Sequence, residues 1–167
     1  MTGPVVPESV VNRARQWRHE LHRIPETAFS EYSTSAYVAR ILRELGYEVT
    51  ARIGGTGLVA SLTRGSSSRT VGLRSELDAL PITEESGVEY ASRNPGAMHA
   101  CGHDGHMAML LGTAALLAVE GGFDGTVRAI FRPAEEPGRG AQTMIEDHIF
   151  ERFPVDRRLI EDREVAT

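Results

Sequence analysis

Between Met107 and Val119 the chain runs MAMLLGTAALLAV, apolar on every face that a helix would present. A helix that apolar is expected to be buried against a sheet. Strand-like runs bracket it, Thr70 to Ser75 (TVGLRS) before and Thr126 to Phe131 (TVRAIF) after. Strand, buried helix and strand in that order predict an α/β fold, a mixed sheet flanked by helices. The rest of the chain fits this reading. Val10, Ala14, Trp17 and Leu21 recur at helical spacing behind Ser9, a natural N-cap, so a helix is expected from Val10 to about Arg23, stopped by Pro25. A second helix is expected from Ser33 to Leu45, closed by Gly46. Strands are expected over Tyr47 to Ile53 and Leu58 to Leu62, and a last helix over Gly140 to Phe150.

Composition removes several classes of function. The 167 residues suggest one domain, and 41% apolar content is enough for a core. A net charge of -5 argues against a nucleic-acid partner, which calls for a basic face. No apolar run approaches the roughly 18 residues that span a bilayer, and MTGPVVPESVV lacks the pattern of a signal peptide. The expectation is a cytoplasmic protein without a membrane partner. The single Cys, Cys101, excludes an internal disulfide framework.

Three polar clusters lie where strands end or the buried helix begins. They are Ser75–Pro81 (SELDALP), His99–His106 (HACGHDGH) and Pro133–Gly138 (PAEEPG). In open α/β sheets the crevice beyond the carboxyl ends of the strands is where ligands bind. His99, Cys101, His103 and His106 offer imidazole and thiolate donors within eight residues, with Asp104 as a supporting carboxylate. The same histidines could instead cap or pack the first helical turn. Glu135 and Glu136 read either as a solvated acidic turn or as a divided pair, one ligand and one general base. Asp78 and Glu76 read as turn caps or as carboxylates that orient a ligand.

Taken together, RHELHRIPETAFSE (Arg18 to Glu31), GLRSELDALPI (Gly72 to Ile82), AMHACGHDGHMAMLLGTA (Ala97 to Ala114) and FRPAEEPGRGA (Phe131 to Ala141) resemble the amidohydrolase branch of the M20 metallopeptidases. That branch includes hippurate hydrolases, N-acyl-L-amino-acid amidohydrolases and indole-acetyl-amino-acid hydrolases. The resemblance covers about residues 10 to 156. It implies the front part of a zinc-peptidase-like catalytic domain over 1–156 and a divergent, charged tail over 157–167. It implies Cys101, His103 and Glu136 as metal ligands, with Cys101 placed to bridge. It implies Glu135 as the general base and Asp78 as the active-site Asp beside the metals. No role carries over to His99 or His106.

The activity implied is hydrolysis of the amide bond of N-acyl amino acids, small-molecule substrates, by water activated with two divalent ions, Mn²⁺ or Zn²⁺. Longer members carry two further His ligands and an inserted lid domain through which they dimerise, and neither has a counterpart in these 167 residues. Three ligands are few for two metals, so negligible amidase activity is expected of the chain by itself, and the alternative is a truncated, catalytically inactive relic or a metal-binding module that retains part of the fold. An exposed sheet edge is expected as well, and the tail does not read as a strand. Members of the branch usually have Gly where His148 stands, which points to a positive φ there.

Overall fold

The computed structural model describes residues 6–160. Helix α1 (Glu8–His22) and helix α2 (Tyr32–Glu44) come first, followed by strands β1 (Glu48–Ile53), β2 (Gly57–Arg64) and β3 (Thr70–Glu76). The apolar helix α3 (His103–Glu120) leads to β4 (Gly125–Arg132), then to α4 (Gly140–Glu146), α5 (Ile149–Arg152) and β5 (Arg157–Ile160). The strands form one mixed sheet in the order β1-β2-β4-β3-β5. β2 pairs antiparallel with both β1 and β4, while β3 pairs parallel with both β4 and β5. The expected α/β architecture is present.

Helix α3 is covered on two sides, while Met109 and Val119 stay exposed. Leu110, Leu111, Ala114 and Ala115 join Leu58, Ala60, Ala129 and Phe131 of the sheet in the main core. On the far side α1 lies close, and a Cβ added at Gly112 would sit 3.5 Å from the Ala14 side chain. Burial of each large aliphatic side chain in such a core contributes roughly 1.5–3 kcal/mol. The opposite face of the sheet carries a smaller cluster of Ile53, Val59, Met144 and Ile149 beneath α4 and α5.

Four details depart from the sequence-based expectations. Helix α1 starts at Glu8 behind Pro7, so Ser9 lies inside the first turn and is not the cap. Proline's fixed φ suits a helix start without any side-chain acceptor. The expected helix from Gly140 to Phe150 is two helices, because His148 takes a left-handed conformation, φ 56, and breaks the run. The first four residues of the expected tail form β5 on the β3 edge. Asp156 leads this strand in. Its carboxylate accepts from the Thr70 N–H at 2.8 Å, and its own N–H donates to the Thr70 carbonyl at 3.0 Å. Strand addition depends on backbone groups, which is why a charged sequence conceals it. Accordingly, the β3 edge is paired and not exposed. The remainder of the expected tail, 161–167, lies outside the described residues.

Candidate metal centre

The three polar clusters meet at the carboxyl ends of β3 and β4 and the start of α3. Gly102 opens that helix in the left-handed region, φ 88, which lets the chain turn sharply between Cys101 and His103. One donor atom each from Cys101, His103 and Glu136 lie within 4.8 Å of one another. These are the three residues the sequence resemblance implied as ligands.

Asp78 is fully buried just past β3 and connects the parts. Its main-chain carbonyl accepts from His103 Nδ1 at 2.8 Å. A carbonyl can only accept, so Nδ1 carries the proton and the lone pair is left on Nε2. Its carboxylate oxygen Oδ2 accepts the Glu136 N–H at 2.9 Å. Thus one residue orients two of the three candidate ligands. Its other oxygen, Oδ1, is buried without a hydrogen-bond partner.

Glu135 and Glu136 approach the same imidazole nitrogen. Glu135 Oε2 lies 3.8 Å from His103 Nε2 and Glu136 Oε1 lies 4.0 Å from it. Glu135 is also held by Arg132, whose Nη2 is 3.0 Å from Oε1. Burial pushes the Cys101 thiol up to about 12, and the neighbouring Glu136 carboxylate adds to the rise. Without a cation beside it, this sulfur keeps its proton through the neutral range.

A second trio, Glu76, His103 and His106, also brings donor atoms within 4.8 Å. It is the poorer metal set. His103 has one lone pair to give. Glu76 already accepts from His106 Nδ1 at 3.1 Å and from Arg74 Nη2 at 2.9 Å. His106 thus sits at the edge of the site as a partner of Glu76. His99 is buried, and neither ring nitrogen has a partner; burial lowers its pKa to about 4, so the ring is neutral. Asp104 turns away from the site and accepts from Arg18 at 3.2 Å, with His22 Nδ1 at 2.8 Å from the same oxygen.

One functional neighbour escaped the sequence reading. Glu31, wholly buried at the start of α2, accepts the Ala134 N–H at 2.9 Å and also the Thr56 hydroxyl. Ala134 holds φ 45, unfavourable for a residue with a Cβ, immediately before the two glutamates. Gly140 packs so tightly on this turn that a Cβ there would lie 1.5 Å from the Pro133 carbonyl oxygen. The Glu135–Glu136 turn is therefore fixed from below by a residue 103 positions away in sequence.

Residues 72–166 match peptidase family M20/M25/M40. The chain belongs to this family. Among M20 relatives, it is 47% identical over 139 residues to the hippurate hydrolase of Campylobacter jejuni, covering 83% of this chain and 36% of that protein. It is 44% identical over 133 residues to the N-acyl-L-amino acid amidohydrolase of Geobacillus stearothermophilus, covering 78% of this chain and 36% of that enzyme. The chain thus spans little more than a third of the length of these curated relatives. Of the solved M20 structures, the Bacillus subtilis YXEP protein, a dinuclear metal binding peptidase, superposes with a TM-score of 0.85 at 35% identity, over 92% of this chain and 43% of its own. Among the described residues no helix is long and apolar enough to cross a membrane.

Proposed function

We propose that this chain carries three ligands and the general base of a metal-dependent amidohydrolase acting on N-acyl amino acids. The observation that carries the reading is the convergence of Cys101, His103 and Glu136 within 4.8 Å, with the Glu135 carboxylate 3.8 Å from His103. The donor set fits a divalent ion. It offers a thiol sulfur, an imidazole nitrogen whose tautomer is already fixed, and a carboxylate. Asp78 Oδ1, buried and without a hydrogen-bond partner, lies 3.6 Å from His103 Nδ1 on the ring's far side. Mn²⁺ and Zn²⁺ both accept such donors, and we assign the site to a two-ion centre by likeness to the relatives.

A divalent ion bound there supplies Lewis acidity toward water and the substrate carbonyl. The chain's own residues do the rest. Glu135, 38% exposed and outside the ligand trio, accepts the proton of the attacking water and returns it to the leaving amine. The products are a carboxylate and a free amino acid. Asp78 holds His103 in the tautomer that presents Nε2 and fixes the Glu136 backbone. The names of the hippurate hydrolase and the N-acyl-L-amino acid amidohydrolase support the substrate class.

A second reading, metal binding without turnover, is favoured by the size of the ligand trio among the described residues. Release of glycine from hippurate by the purified chain with Mn²⁺ or Zn²⁺ separates the two. Release that stops with a chelator and with Glu135→Ala supports the enzyme, whereas Cys101→Ala should chiefly cost metal. Metal uptake with no release supports the second reading. Hydrolysis that persists in Glu135→Ala contradicts the base assignment.

A further inference from the structure

Two adjacent carboxylates stand almost equally far from His103 Nε2, Glu135 at 3.8 Å and Glu136 at 4.0 Å. A cation settling beside that nitrogen attracts both, yet a base that becomes a ligand can no longer take up a proton. Something must keep them apart. Glu136 is committed to the trio by its backbone, anchored on Asp78. Glu135 is committed elsewhere, by the guanidinium of Arg132 at 3.0 Å. We propose that Arg132 is a positioning residue that holds the Glu135 carboxylate out of the metal's ligand set. This inference rests on the metal reading above.

Arg132 is built to act as a fixed post. It ends β4, and its register partner across the parallel pair is Glu76. Its side chain is only 15% exposed, with Nη2 3.9 Å from Glu76 Oε1 and 3.0 Å from Glu135 Oε1. The nearer Glu76 contact is occupied by Arg74 at 2.9 Å, which leaves Arg132 free to commit to Glu135. An exposed ion pair is worth little, but this guanidinium is mostly shielded from water, where screening is weaker.

Co²⁺ alone is the probe, titrated into the full 167-residue chain while the thiolate-to-metal absorption of Cys101 is followed. Arg132→Gln frees Glu135 to join the ligand set and should tighten Co²⁺ binding by about tenfold, the scale of supporting-residue effects at metal sites. Removing a positive charge would also tighten binding by itself, so the decisive comparison uses a Glu135→Gln background. There only that charge effect should remain, well short of tenfold, because no carboxylate is left to be released. If Arg132→Gln does not fold, Arg132→Met keeps the apolar stem and carries the same test. An unchanged or weaker constant in the single variant, or a tightening of the same size in the Glu135→Gln background, overturns the clamp and leaves the metal reading standing. Absence of the thiolate band in the unaltered chain overturns both.

Discussion

Glu31→Ala perturbs the site from beneath without touching any candidate ligand. The Glu31 carboxylate accepts two buried donors, the Ala134 N–H and the Thr56 hydroxyl. Alanine leaves both unpaired where water does not reach. Hydrogen bonds to a charged group contribute about 1.5–3 kcal/mol each, and breaking one side of a buried charged contact costs about 3–5 kcal/mol. Relief from burying a charge offsets part of this, so a loss of about 3–4 kcal/mol is expected. Glutamine discriminates the reason. Its amide oxygen can still accept from Ala134, and its NH₂ can donate to the Thr56 oxygen, since a hydroxyl both donates and accepts. That variant should lose only about 1–2 kcal/mol. Urea unfolding followed by Trp17, the single tryptophan and 7% exposed, reads both changes. A loss under about 1 kcal/mol for alanine, or equal losses for the two variants, refutes the keystone role.

Two other predictions concern stability. The His99 ring is neutral when folded because burial lowers its pKa to about 4 from 6.5. The unfolded chain binds this proton more readily, so stability is fully present above 6.5 and is lost as pH falls toward 4, to the order of 3 kcal/mol. His99→Phe sacrifices no hydrogen bond and should flatten that part of a stability-versus-pH curve; matching slopes would count against the assignment. His148 holds φ 56, so His148→Gly should raise stability by about 1 kcal/mol in the same urea assay. A loss there would mean the side chain contributes more than the backbone strain costs.

Much of this architecture was legible in the sequence, for physical reasons. Apolar periodicity marked α1 and α2, and the all-round apolar run marked α3 as buried against the sheet. Cys101 and His103 stood out as candidate donors because thiol and imidazole groups rarely gather so closely without a task, and Glu136 joined them only through the resemblance. What stayed hidden depends on distant partners. The resemblance included Glu31, but nothing local ties it to Ala134. Arg132 lay just past the expected strand Thr126 to Phe131, and its contact with Glu135 is made only when the turn after β4 folds back upon it. β5 was missed because its pairing is made by backbone atoms. His148 was legible as a backbone anomaly, although its power to split the last helix was not.

Co²⁺ titration of the purified chain beside Cys101→Ser tests the account most directly. The account predicts one thiolate-to-metal absorption band that saturates with the metal, vanishes in Cys101→Ser and weakens in Glu136→Gln. Because binding must expel the thiol proton, affinity should rise about tenfold per pH unit through the neutral range. A chain that binds Co²⁺ with no thiolate band, or equally well without Cys101, would contradict the proposed centre.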